Sequence, residues 1–111
     1  MSVRSVRTFL VAPGRGDEFE EAYRDGDFLA RSVTNPGFIR GELIRASVEP
    51  PVFVAIAEWE TAADYAAWQA SYDQLPTEPA ARMLATMTDD NVPDIVGDII
   101  LTADRTTEPP A

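Results

Sequence analysis

The run Val52–Trp59, VFVAIAEW, is the most apolar segment of the chain and constrains its fold more than any other. A short apolar run of this length, bounded by turn and capping signals, is typical of a strand inside a sheet. Pro50 and Pro51 come directly before it, and Thr61 opens a helix-capping pattern just after it. We therefore predict a central strand over residues 52–59, buried on both faces.

Strand and helix signals alternate along the rest of the chain. Asp17 is a suitable N-cap for a first helix, and Gly26 is expected to interrupt that helix because glycine weakens a helix interior. Thr61 and Asp64 match a capping box, which predicts a second helix from residue 62 to about residue 71. The remaining predicted elements are strands over residues 3–12, 38–48 and 92–103 and a short helix over residues 79–88.

This element order predicts an α+β fold of the ferredoxin-like, split βαβ type, with a four-stranded antiparallel sheet. The chain of 111 residues is near the common size of one domain. We expect a single domain over residues 1–104, followed by a flexible polar tail over residues 105–111.

The chain contains no cysteine and no histidine, which excludes several kinds of chemistry. Disulfides, thiolate nucleophiles, Cys/His zinc sites, histidine-ligated haem and Ser-His-Asp arrangements all require one of these residues. A general base in this protein must be a carboxylate, a tyrosine, an amine, water or the substrate itself.

The charge balance excludes other classes of partner. Nine basic residues stand against nineteen acidic ones, for a formal net charge of −10. Binding to nucleic acid or to an anionic membrane surface depends on Lys and Arg, so we expect neither partner. Because the N-terminal segment lacks a long apolar run, we expect a cytoplasmic protein.

Three segments, in this order, resemble the antibiotic-biosynthesis monooxygenase family. They are PGRGDEFEEAY at residues 13–23, NPGFIRGELIR at residues 35–45 and FVAIAEWETAADYAAW at residues 53–68. The resemblance extends over about residues 3–100.

This resemblance implies a homodimeric α/β barrel, in which two four-stranded sheets face each other and each protomer keeps its own pocket between sheet and helices. It also implies a small aromatic substrate, such as an anthrone- or quinol-like polyketide, in secondary metabolism. Several members oxygenate such substrates with dioxygen and no metal or flavin, so we expect no cofactor. The haem-degrading branch uses a histidine ligand, which this chain lacks.

The resemblance also implies three catalytic residues. Trp59 corresponds to the tryptophan that lines the pocket of the anthrone-oxygenating relatives, where its N–H could hold a peroxy or oxyanion group. Tyr65 lies at the position of a tyrosine that could donate to a substrate carbonyl, and Arg82 lies where an arginine could hold a phenolate or enolate. Each also has an ordinary structural interpretation: core packing for the two aromatic residues and a surface position for the arginine.

Alternation along the apolar strand places Ala55, Ala57 and Trp59 on one face, and two small residues beside an indole form a recess. We predict that Ala55, Ala57 and Trp68 contribute to substrate binding there. Ala55 departs from the oxygenating relatives, which carry an asparagine at this position, and a methyl group cannot hydrogen-bond a substrate or a peroxide.

Three functions therefore remain open. The first is a cofactor-independent monooxygenase. The second is a non-redox polyketide cyclase or isomerase that uses the same pocket. The third is a non-catalytic dimer that binds a small aromatic ligand. Ala55 favours the second and third, whereas Trp59 and the ordered family pattern favour a pocket of some kind.

Overall fold

The computed structural model describes residues 2–71, 77–88 and 92–106 and confirms the predicted ferredoxin-like fold. Its four strands pair antiparallel in the order β2-β3-β1-β4. The strands are β1 (Val3–Leu10), β2 (Phe38–Arg45), β3 (Val52–Trp59) and β4 (Ile95–Asp98). The helices are α1 (Gly16–Asp25), α2 (Phe28–Ser32), α3 (Ala62–Ala70) and α4 (Thr77–Thr86).

The apolar run has the predicted bounds and lies in the sheet interior, between β2 and β1. Phe53 and Trp59 are buried on the side that packs against the helices, but Val54 and Ile56 on the other side are only half-buried. The prediction of burial on both faces is therefore wrong for the protomer, because none of the described elements covers the outer face of the sheet.

The structure confirms two of the local helix predictions and contradicts a third. The capping box is confirmed, since the Asp64 N–H donates to Thr61 Oγ1 at 3.1 Å and α3 follows directly. The break at Gly26 is also confirmed, because α1 ends at Asp25 and α2 begins two residues beyond that glycine. Asp17 is not the N-cap: α1 begins one residue earlier, after Arg15, and no side chain caps it.

Four elements differ in their bounds from the sequence prediction. The first strand ends at Leu10 rather than at residue 12. The second strand ends at Arg45 rather than at residue 48, and the short helix covers residues 77–86 rather than 79–88. The last strand is much shorter than predicted, covering residues 95–98, because only these residues pair with β1. Apolar composition alone does not make a strand where no neighbouring strand supplies the pairing. Most of the predicted tail, residues 107–111, lies outside the described residues.

Two clusters of buried side chains hold the helices on the sheet. The phenylalanine cluster joins β1, β3, α1, α2 and α4 and consists of Phe9, Val11, Phe19, Ala22, Phe28, Phe53 and Met83. The tryptophan cluster, at the opposite end of β3, consists of Val3, Trp59 and Tyr65. The space between these clusters is where a cavity can form.

The outer face of the sheet carries apolar side chains that the protomer leaves accessible. Ile44 of β2 lies opposite Val54 of β3 on this face and is 43% exposed. Ile95 of β4 lies opposite Val6 of β1 and is 65% exposed. Apolar side chains that are contiguous and exposed on a sheet typically mark a contact surface.

Gly14 and Gly37 offer a matched test of local backbone strain, since both have positive φ, +76° and +84°. An added Cβ meets open space at Gly14 but collides with the Asp64 side chain at Gly37. We expect Gly14→Ala to lower the free energy of unfolding by about 1 kcal/mol and Gly37→Ala by about 3 kcal/mol. Urea denaturation measures both, and equal losses would contradict a packed contact between residue 37 and the start of α3.

Candidate active site

A cavity of about 430 Å³ lies between the phenylalanine and tryptophan clusters, on the helix side of the sheet. Its volume is within the range of roughly 300–1,000 Å³ that is usual for small-molecule sites. Its floor consists of two cross-strand pairs, Ala55 opposite Arg7 and Ala57 opposite Ser5. The walls include Phe28, Leu29, Phe38, Tyr65, Trp68 and Met83. The recess predicted from the sequence is therefore present, and it is mostly apolar.

Trp59 lies at one end of this floor and is only 1% exposed. Its indole Nε1–H donates to Ser5 Oγ at 3.1 Å, so its single donor is already engaged. Trp59 therefore serves both as a core residue of the tryptophan cluster and as a wall of the cavity. In this conformation it offers a ligand its ring rather than its N–H.

Tyr65 on α3 also lines the cavity, and its hydroxyl donates to Asp94 Oδ2 at 2.9 Å. The phenol proton is thus directed toward Asp94 rather than toward a substrate carbonyl. A proton can move through a tyrosine that is hydrogen-bonded to a carboxylate. The phenol oxygen accepts one proton while the phenol proton passes to the carboxylate. Asp94 was missed by the sequence reasoning, because it lies 29 positions after Tyr65 and no recognisable motif joins the two residues.

Three aromatic rings surround the indole of Trp59. The ring centroids of Phe38, Tyr65 and Trp68 lie 5.2, 5.8 and 5.8 Å from that of Trp59. Such separations are usual for edge-to-face and tilted aromatic pairs, which fix one another's orientation. This places Trp68 at the cavity wall, as predicted, and gives a flat ligand a preformed aromatic surface.

The structure does not bring Arg82 into the cavity. Its Nη2 donates to Asp25 Oδ2 at 2.8 Å, and its Nε lies 2.7 Å from Glu78 Oε1. The hydrogen bonds to Asp25 and Glu78 raise the pKa of the Arg82 guanidinium above its usual value. Arg82 thus ties α4 to α1, and its expected contact with a phenolate or enolate has no support in this geometry.

Arg7 is the cation that the structure does place at the cavity. Among the described residues that line it, Arg7 is the single charged side chain. Its guanidinium carbon lies 5.1 Å from the centroid of the Phe9 ring. The sequence carries a signal for it: Val3, Ser5, Arg7 and Phe9 alternate onto one face of β1, so this arginine falls among core positions.

The charges of β2 divide between the two faces of the sheet. Arg40 and Glu42 share the outer face, and Arg40 Nε lies 3.3 Å from Glu58 Oε1 on the neighbouring strand. Arg45 faces the helices, where it pairs with Asp17 at 2.8 Å. None of these three side chains is among the described residues that line the cavity.

Within the described ranges, no group of three or more acidic side chains converges as a set of metal ligands. Across the same ranges, no helix has the length and apolar character needed to cross a bilayer.

A double-mutant cycle tests the Trp59–Ser5 hydrogen bond. We expect Trp59→Phe to cost about 2 kcal/mol of unfolding free energy and Ser5→Ala about 1 kcal/mol. The double variant should lose about 1 kcal/mol less than the sum, because both changes remove the same bond. Ser32, also 5% exposed, bonds to the Phe28 carbonyl instead, so Ser32→Ala should combine additively with Trp59→Phe. Additivity in both cycles would contradict the hydrogen bond.

Solved structures with this architecture come from several organisms. SnoaB from Streptomyces nogalater, described as a cofactor-independent oxygenase, is 25% identical, with a TM-score of 0.65 over 91% of this chain and 95% of that chain. A candidate antibiotic biosynthesis monooxygenase from Nitrosomonas europaea is 19% identical, with a TM-score of 0.68 over 89% of both chains. Rv0793 from Mycobacterium tuberculosis is 10% identical, with a TM-score of 0.70 over 94% of this chain and 100% of that chain. The last two likenesses concern the fold alone.

The sequence itself gives the family. A comparison with curated proteins finds no significant match. The family model described as antibiotic biosynthesis monooxygenase, in contrast, matches residues 2–78, which include β1 to α3 and therefore the whole cavity floor. The chain belongs to the antibiotic biosynthesis monooxygenase family.

Proposed function

We propose that this protein is a cofactor-independent monooxygenase that oxygenates an aromatic polyketide of the anthrone or quinol type. The observation that carries the proposal is the Tyr65–Asp94 pair at the wall of an aromatic cavity of about 430 Å³. Family membership supports monooxygenase chemistry in general, and the 25% identity to SnoaB supports the cofactor-independent form of it.

Such a reaction needs an electron-rich substrate, a base and a site from which water is largely excluded. For an anthrone, the central methylene loses two hydrogens and gains a carbonyl oxygen, while the second oxygen atom of dioxygen leaves in water. The substrate supplies all the electrons, so the protein's task is to form and hold the substrate anion. The apolar lining of the cavity strengthens every electrostatic interaction made inside it.

Tyr65 and Asp94 are the residues proposed to remove the substrate proton. The substrate proton passes to Tyr65 Oη as the phenol proton passes to Asp94 Oδ2, over the 2.9 Å hydrogen bond that already joins them. This chain has no histidine to act as the base. A carboxylate that acts through a tyrosine can take that role, and the proton removed from the substrate leaves a protonated Asp94 within the protein. Trp59 and Trp68 would hold the ring system flat against their faces.

A specific observation favours the non-redox alternative, in which the protein folds or merely binds a polyketide. The Trp59 N–H is engaged by Ser5, and Ala55 and Ala57 offer no side-chain donor to a peroxide. A cyclase or a binding protein needs the same aromatic cavity without such a donor. Oxygen consumption separates these functions.

The homodimer is part of the proposal. A second copy, packed sheet to sheet, would cover the half-buried Val54 and Ile56 and the exposed Ile44 and Ile95. Burial of an apolar sheet face is the usual reason for such an association. We propose that this contact completes an α/β barrel, with one cavity in each protomer.

Light scattering tests the dimer. We expect a mass about twice the 12.2 kDa of the protomer at micromolar concentration. Ile44→Lys should shift the equilibrium to the monomer, because it would place a charge in the sheet-to-sheet contact. Val48→Lys is the matched control, since Val48 is also exposed, at 56%, but lies beyond the end of β2. A stable monomer of the native protein would overturn the proposal.

Dioxygen uptake with an anthrone substrate tests the chemistry. We expect the native protein to consume one dioxygen per quinone formed, and Tyr65→Phe or Asp94→Asn to slow the reaction by about a hundredfold, the usual contribution of a positioned base. Asp98→Asn, at an exposed carboxylate of β4, should leave the rate unchanged. Saturable binding of the anthrone without uptake would instead support the cyclase or the binding protein.

A further inference from the structure

The cavity has one feature that the proposed proton relay does not use: the guanidinium of Arg7. The protein carries a formal net charge of −10, yet the single charged side chain among the described residues that line its apolar cavity is cationic. Because Arg7 lies beside apolar and aromatic side chains, water screens its charge less there than at the protein surface. An ionised ligand that enters the cavity would therefore interact strongly with this guanidinium.

The register of the sheet explains why the guanidinium has room. Arg7 lies directly opposite Ala55, on the face that forms the cavity floor. Directly opposed side chains on neighbouring strands have Cβ atoms about 5 Å apart, so a large residue at position 55 would compete with Arg7 for the same space. The methyl group of Ala55 brings no donor of its own, and Arg7 places donors over the same part of the floor.

Phe9 contributes to the placement of the charge. Its ring centroid lies 5.1 Å from the guanidinium carbon of Arg7, within the distance of a cation–π contact. Phe9 is itself buried in the phenylalanine cluster, at 3% exposure, so it provides a fixed surface beside the guanidinium. This contact favours one position of an otherwise long and mobile side chain.

We propose that Arg7 is the anion-binding residue of the cavity, and that the ligand is a planar aromatic molecule bearing an ionised oxygen, a phenolate or enolate. The guanidinium donates to that oxygen across the methyl group of Ala55, while the rings lie among Phe38, Tyr65 and Trp68. The proposal rests on the cavity's being the substrate site, as proposed above, and it narrows the substrate class to molecules that are held in the cavity as an oxygen anion, whether they enter ionised or lose their proton there. A cation in an apolar site favours the ionised form of a neighbouring phenol.

The test uses 2-hydroxyanthraquinone, whose visible absorption changes when it ionises, and its methyl ether, which cannot ionise. Neither probe carries a methylene that can be oxygenated, so binding is measured apart from turnover. Quenching of the fluorescence of Trp59 and Trp68 gives the dissociation constants. Absorption titration of the bound hydroxy probe gives the pKa of its phenol.

We expect the native protein to bind the ionised probe and to lower the pKa of the bound phenol by about one unit or more. Arg7→Met should weaken binding of the ionised probe by about tenfold or more, return the phenol pKa toward its value in water, and leave binding of the methyl ether within about twofold. Arg4→Met is the matched control, because Arg4 is on the opposite face of β1 and lies 3.6 Å from Glu58. It should change neither dissociation constant.

Arg7→Gln covers the case in which Arg7→Met does not fold, since it keeps a polar head group and removes only the charge. In the Arg7→Met background, Ala55→Asn should restore part of the lost affinity, because it returns a donor to the same part of the floor. Equal binding of the ionised probe by the native protein and a folded, uncharged Arg7 variant would overturn the inference, as would an equal loss of affinity for the methyl ether.

The two proposals fail in different ways. Charge-dependent probe binding without dioxygen uptake from an anthrone would leave Arg7 as the anion-binding residue and reject the monooxygenase. Dioxygen uptake that is unaffected by the loss of the Arg7 charge, with no change in the phenol pKa of the bound probe, would reject Arg7 and leave the monooxygenase.

Discussion

The structure depends most on one series of side chains along the inner face of β3: Phe53, Ala55, Ala57 and Trp59. The large residues at the two ends are buried in separate clusters, which fasten the helices to the sheet. The two alanines between them cannot fill the space under the helices, so the cavity lies there. Protein interiors are otherwise closely packed, and a gap of this size is retained only where the surrounding side chains cannot collapse into it.

Contacts between aromatic rings keep the side chains around the cavity from collapsing into it. Trp59 is held by the rings of Phe38, Tyr65 and Trp68 and by its hydrogen bond to Ser5. The core and the candidate active site are thus the same set of side chains at this end of the sheet. A change at Trp59 must therefore affect both stability and ligand binding, and matched variants are needed to separate the two effects.

The absence of histidine and cysteine directs the chemistry to the few polar groups around the cavity. Tyr65 with Asp94 offers a route for a proton, and Arg7 offers a positive charge. Proposed together, they would remove a proton from a phenolic or anthrone-like molecule and stabilise the resulting anion, which is what a substrate must become before it can react with dioxygen without a cofactor. The outer face of the sheet is a separate matter. No element in the described part of the chain covers the strands that carry this floor, so the proposed second copy would have to cover them.

The sequence by itself determined the elements whose signals are local. These are the bounds of β3, the capped start of α3, the break at Gly26 and the small residues of the recess, because each depends on neighbours within one turn or one strand. The tertiary structure alone decided which polar groups meet. It paired Tyr65 with Asp94, joined the Trp59 N–H to Ser5, paired Arg82 with Asp25, and placed Arg7 opposite Ala55. These contacts join residues that are far apart in the chain. Strand register and helix packing determine which of them form, and no local sequence pattern encodes either one.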